Sequence, residues 1–282
     1  MSLAESVWLA LAVKALAAAT VVVLSSLAAE RLGPFMGGVI TTLPFSTGPA
    51  YVLLAMAHDD RFIADSALSS LVAVAALVTF LVSMVWVSPR FGLALTLLIP
   101  SSLMITVGVL LTGIDWTLPM ALLLMAGVYA VAFPAVRNAV PPFTLKPVRR
   151  RWYDIPGRAL MAGLLVATVT TLSDVLGPTM TGALAIYPVS LTGLTIVLHR
   201  RQGGAANASA MRSSLIANPG FTLCVLTVHL LAVPAGTATA LLAGLGVAVA
   251  WSVGVLVWNS RRNRPPAAAS TDAAGPVRQP CR

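Results

Sequence analysis

The chain has 282 residues, 58% of them hydrophobic and only 10% charged, with a formal net charge of +9 and a mean hydropathy of +0.90. Soluble domains carry roughly 25% charged residues, so lipid rather than water is the expected solvent. The location of the positive charge excludes nucleic-acid binding: Arg149, Arg150, Arg151, Arg200, Arg201, Arg261, Arg262 and Arg264 lie between apolar runs or in the tail, where the positive-inside bias puts them.

Nine apolar segments follow in chain order, at 7–28, 33–57, 66–87, 91–113, 116–136, 157–175, 177–199, 211–233 and 236–258. A spanning helix needs about 20 mostly apolar residues, so the predicted fold is an all-α integral membrane protein with nine transmembrane helices. The first segment lacks the positive leading region of a secretory signal, because Glu5 is the only charge before Lys14; it is expected to remain as a helix. The longest gap, 137–156, is basic and holds four prolines. Residues 259–282 are basic, then rich in Pro and Ala, and are expected to be a disordered tail. Trp8, Trp86, Trp116 and Trp258 fall at predicted helix ends, as interfacial anchors do. Asn207-Ala208-Ser209 fits a glycosylation acceptor pattern but falls in a predicted cytoplasmic loop. Cys224 and Cys281 form neither a disulfide framework nor a metal pattern.

The basic loops set an orientation. With 137–156 and the tail on the cytoplasmic side, alternation also places Arg90, His199, Arg200 and Arg201 inside, and Asp59, Asp60, Asp65, Asp115 and Asp174 outside. Nine crossings of the cell (inner) membrane, with the amino terminus outside and the carboxyl terminus cytoplasmic, satisfy nearly every loop.

The sequence repeats at an offset of 144 residues. LGPFMGGVITTLPFS at 32–46 aligns with LGPTMTGALAIYPVS at 176–190, with seven of fifteen positions identical. Ser69-Ser70-Leu71 aligns with Ser213-Ser214-Leu215 at the same offset. Pro, Gly and Ser coincide together, which apolar composition alone does not produce. Segments one to four thus correspond to six to nine, and segment five has no counterpart. The equivalent segments are five crossings apart, an odd number, so the halves run in opposite directions. The chain divides into 1–113 (first repeat), 114–156 (linking helix and basic loop), 157–258 (second, inverted repeat) and 259–282 (tail). This arrangement resembles the inverted-repeat secondary transporters in architecture; no residue role is carried over from them.

Pro44 and Pro188 fall mid-segment at equivalent positions. Proline within a helix removes a backbone donor and frees a carbonyl one turn earlier. Such a break survives in hydrocarbon only where protein covers it or water reaches it. Ser46 and Thr47 follow one proline, and Ser190 and Thr192 the other. Pro44, Ser46, Thr47, Pro188, Ser190 and Thr192 are therefore the candidate substrate-binding residues. The helix halves after the prolines begin near the midplane, so their positive ends favour an anion or carboxylate; the freed carbonyls offer a cation instead. Lys14, about 10 Å into the first helix by rise per residue, is either a snorkelling lysine or a substrate counter-ion. Pro-Ser kinks and small-residue faces at Gly33, Gly37, Gly38, Gly177, Thr181 and Gly182 also fit plain helix bending and close packing. Asn218-Pro219 and Pro100-Ser101-Ser102 are further polar breaks, read as hinges, and Ser69, Ser70, Ser213 and Ser214 as cavity-lining residues. His229 is expected near the outer interface.

No span holds a nucleophile with a base or a metal-ligand cluster, so an enzyme is not expected. No cofactor motif is present, and the expected partners are the lipid bilayer and a small-molecule or ion substrate. A homo-oligomer is left open. The combined reading is a secondary transporter or exporter of a small polar solute, with a passive channel or a non-transporting scaffold as the alternatives.

Overall fold

The computed structural model describes Thr20, residues 47–139 and residues 154–262. Among these the chain is all-helical: α1 (Thr47–Ala55), α2 (Asp60–Val87), α3 (Leu93–Thr112), α4 (Leu118–Arg137), α5 (Asp154–Ala185), α6 (Val189–Gln202), α7 (Gly204–Ala235) and α8 (Thr237–Arg262). Local chemistry sets the ends of these helices. The Asp59 carboxylate accepts from the Phe62 amide at 2.9 Å and caps α2, satisfying one of the amides a helix start leaves unpaired. Pro89, just past the end of α2, has no N–H to carry the ladder on.

Six helices among the described residues are long and apolar enough to cross a membrane: α2, α3, α4, Gly163–Ala185 within α5, α7 and α8. The outward faces of α3, α4 and α8 expose Leu98, Val109, Leu123, Val131 and Leu242. Side chains of this kind belong against acyl chains, and the protein is an integral membrane protein. The expected nine crossings are not reached among the described residues. Segment 7–28 lies outside them, 33–57 is described only from Thr47, and 177–199 is divided at Pro188. The tail beyond Arg262 and most of the loop 137–156 also lie outside the described residues.

α2 is the centre of the bundle. Its most apolar window is 72% buried, against 17% for α3 and 22% for α4, and it packs against α1, α3, α4, α5 and α7. A helix apolar all round suits such a position, although in lipid a peripheral helix such as α3 can be as apolar. α2 and α7 run antiparallel. Ser88 Oγ donates to the Gly204 carbonyl at 2.9 Å, and Asn207 Nδ2 donates to Ser88 Oγ at 3.1 Å. At the other end His229 Nδ1 bonds the Ala64 carbonyl at 2.8 Å, and Asp60 Oδ1 accepts from Thr237 N at 3.0 Å. Asn207, expected in a loop, is thus wholly buried in the first turn of α7, because the helix begins seven residues before the segment expected at 211.

Charge is sided. Arg90, Arg137, Arg200, Arg201 and Arg212 gather at the face where α2 ends and α7 begins; Arg212 donates there to the Arg137 carbonyl at 3.0 Å. Asp59, Asp60, Asp65, Asp115 and Asp174 gather at the opposite face, where His58 Nε2 stands 2.7 Å from Ser173 Oγ and 3.8 Å from Asp174.

The close approach at Gly204 yields a test. A Cβ there would run into the carbonyl of Ser88, whereas one at Gly246 would meet nothing within 4 Å. Gly204→Ala is expected to cost about 1–3 kcal/mol, lowering the thermal midpoint in detergent by several degrees. Gly246→Ala should leave the midpoint unchanged; equal midpoints for both variants would remove the close contact from the account of stability.

Candidate functional site

α5 rises from the basic face to Asp174 at the acidic face and turns back at Gly177, whose φ of 68° and ψ of 176° are non-helical. A Cβ on Gly177 would meet nothing within 4 Å, so glycine is required here for its left-handed backbone and not for packing. That corrects the expectation of a small-residue packing face at this position. The corner falls where the sequence separates 157–175 from 177–199. Residues 178–185 then run inward as a half-helix, residues 186–188 break it, and α6 continues to the basic face. There His199 Nε2 bonds the Phe91 carbonyl at 3.1 Å.

Pro188 causes the break, since it has no amide to offer the Leu184 carbonyl. Stopping at Ala185 leaves the last four carbonyls of the half-helix without helical partners, and each finds a substitute. Gly182 O accepts from Ser70 Oγ at 2.7 Å. Ala183 O accepts from Ile186 N at 3.4 Å, and Leu184 O from Tyr187 N at 3.1 Å. Ala185 O accepts from Thr47 Oγ1 at 3.0 Å. Two of the four donors come from other helices, α2 and α1. The Pro188 carbonyl in turn accepts from Thr192 N at 2.9 Å and Thr192 Oγ1 at 3.0 Å.

Of the candidate residues, Thr47, Pro188 and Thr192 therefore meet at one place. Thr47 is the first described residue of α1, Pro188 precedes α6, and both lie at the break. The hydroxyls of Thr47 and Thr192 are occupied by backbone carbonyls. Lys14, Pro44 and Ser46 lie outside the described residues, as does the side chain of Ser190. Gly33, Gly37, Gly38 and Trp8 lie outside them too.

Tyr51, which the sequence reading did not single out, completes the cluster. Its phenol lies 2.7 Å from Ser70 Oγ. The Ser70 proton goes to Gly182 O, so the phenol is the donor. Tyr51 stands one helical turn beyond Thr47 and shares its face, the only sequence signal that would have found it. Ser66, Thr181 and Thr195 are wholly buried, and their hydroxyls have no partner among the described residues. Beside the half-helix lies a cavity of about 160 Å³, lined by Ser69, Met104, Trp116, Thr179, Met180 and Tyr187 among others. It is smaller than the roughly 300 Å³ of a drug-sized site. Trp116 lines it and donates Nε1–H to the Leu111 carbonyl at 2.7 Å.

Other flagged residues are placed elsewhere. Asn218 Nδ2 donates to Tyr129 OH at 3.1 Å, and Tyr129 OH lies 2.6 Å from Thr222 Oγ1. This network ties α4 to α7, and α7 runs unbroken through Pro219. Ser102, Ser213 and Ser214 bond back to carbonyls of their own helices.

No family model, no curated protein and no solved structure matches the chain.

The Thr47 contact predicts a stability effect. Thr47→Val keeps the shape and removes the donor, leaving the Ala185 carbonyl unpaired away from water. The expected loss is about 1–3 kcal/mol, read as a lowered thermal midpoint in detergent. An unchanged midpoint would show that the carbonyl has another partner.

Proposed function

We propose that the chain is a secondary transporter or exporter of a small polar solute, with an anion or carboxylate favoured, working by alternating access between two inverted repeats. The contact between Thr47 and Ala185 carries this reading, because it joins the start of α1 in one half to the broken span of the other. The repeat finds support in helix starts and in contacts. Asp60 and Gly204 open α2 and α7, and Leu93 and Thr237 open α3 and α8, each pair 144 residues apart. Contacts pair at the same offset: α2 on α3 with α7 on α8, and α3 on α6 with α8 on α1. The bonded α2–α7 pairs, Ser88 with Gly204 and with Asn207 and Ala64 with His229, have numbers summing to nearly the same value, as an antiparallel register requires. The point equivalent to itself in that register lies near Ala75 and Pro219, mid-helix in both, where a two-fold axis in the membrane plane would pass.

The helix halves that follow Pro44 and Pro188 would present amides and positive dipole ends at the break, and their convergence would favour negative charge on the solute. Ser46 and Ser190 would cap or coordinate it, Pro44 and Pro188 would hold the breaks open, and Lys14 would serve as its counter-ion. The sided charge supports cytoplasmic placement of the basic face and an outer placement of the acidic face, with the amino terminus outside and the carboxyl terminus inside the cell membrane. A passive facilitator is favoured by a separate observation. Among the described residues, no Asp or Glu lies deeper in a span than Asp65, in the second turn of α2, so a carboxylate relay for a coupling ion is not at hand.

Proteoliposomes test both readings. Uptake of small carboxylates is expected to exceed that of neutral or cationic solutes of the same size, and Ser46→Ala and Ser190→Ala to lower it at least tenfold while the protein stays monodisperse. Flux that follows an imposed ion gradient supports coupling, and flux indifferent to any gradient supports the passive facilitator. Undiminished flux in both serine variants would remove the site, and no flux of any solute would leave a scaffold.

A further inference from the structure

We propose that the crossing of α2 with residues 178–185, latched by Ser70 on the Gly182 carbonyl, is the gate that closes the mid-membrane site toward the acidic face. The proposal rests on the inverted-repeat reading above.

Position comes first. The half-helix runs from the Gly177 corner, near Asp174 at the acidic face, to the break at 186–188. Ser66 and Ser70 lie roughly 9–15 Å along α2 from Asp60, by 1.5 Å per residue. Their crossing with the half-helix therefore stands between the acidic face and the break. Closure there is tight: a Cβ on Gly182 would collide with the Ser66 carbonyl, and Ser69 Cβ lies 3.0 Å from the same point. One hydrogen-bonded chain holds it, from Tyr51 on α1 through Ser70 on α2 to Gly182 on the half-helix, with both links at 2.7 Å.

The closed crossing also carries a penalty. The hydroxyls of Ser66 and Thr181 are buried in it with no partner among the described residues. Separating the helices would wet both groups. The bonds of the latch oppose that desolvation cost, and two packed arrangements of comparable free energy are what a gate requires.

The repeat supplies the other arrangement. Ser214 stands 144 residues after Ser70, within the same Ser-Ser-Leu sequence. It does not reach across to another helix; its Oγ donates to the Ala210 carbonyl four residues back, at 3.1 Å. Ser70 has the same alternative in the carbonyl of Ser66. Ser214 thus shows the released arrangement that is open to Ser70.

The test uses full-length protein in liposomes, in a Cys224→Ala/Cys281→Ala background, with Thr181→Cys as the reporter and Asp115→Cys marking the acidic side. A membrane-impermeant maleimide is added from that side without solute. Ser70→Ala is expected to raise the labelling rate of the reporter about fivefold, the population shift that one hydrogen bond supports. Tyr51→Phe, which conserves volume and guards against misfolding at Ser70, should raise it in the same direction. Ser214→Ala should give no rise, because its hydroxyl is released in this state. Rates within twofold of the parent for both Ser70→Ala and Tyr51→Phe, or an equal rise with Ser214→Ala, would overturn the gate. Solute flux in the same vesicles separates the two readings. Unchanged labelling with intact flux defeats the gate alone, whereas the predicted labelling pattern without any flux defeats the transporter reading.

Discussion

Hydrocarbon offers no hydrogen bonds, and an unsatisfied backbone group within it costs several kcal/mol. The broken span between α5 and α6 meets this constraint inside the bundle. Ending the half-helix at Ala185 exposes four carbonyls, and the chain has to answer for each of them. Local amides of Ile186 and Tyr187 answer for two. Ser70 and Thr47 answer for the others, and by doing so they determine where α2 and α1 sit. The break is thus a point of attachment for two other helices as well as a defect in one.

The rest of the bundle follows membrane rules more than aqueous ones. Lipid tails are as apolar as leucine, so helices associate through close packing and occasional interhelical hydrogen bonds. α2 and α7 show both. Their polar links cluster at the two ends, at Ser88, Gly204 and Asn207 on one side and at Ala64 and His229 on the other. Glycine permits the closest approaches, as at Gly204 against Ser88 and Gly220 against Trp251. Near the middle, the Tyr129–Asn218–Thr222 network fastens α4 to α7.

The hydroxyls at the break itself are already engaged by the protein. Thr47 and Thr192, read from the sequence as ligands, have hydroxyls already committed to carbonyls. Side chains hold the break here, and under the proposed function it is backbone, as in the first turn of α6, that would face a solute.

The sequence by itself determined the solvent, the helical class and the interruption at Pro188. Each follows from local chemistry: hydropathy over about 20 residues, and an imide that cannot donate. It also separated 157–175 from 177–199, but it read Gly177 as a packing residue, and only the structure showed the backbone that makes glycine necessary at the corner. The 144-residue offset was legible because Pro, Gly and Ser recur in register. Only the tertiary structure decided which groups answer the freed carbonyls. Ser70 and Gly182 are 112 residues apart in the chain, and Thr47 and Ala185 are 138 apart. No periodicity encodes such pairings, because a hydroxyl that bonds across helices reads the same in sequence as one, like Ser214, that bonds back to its own.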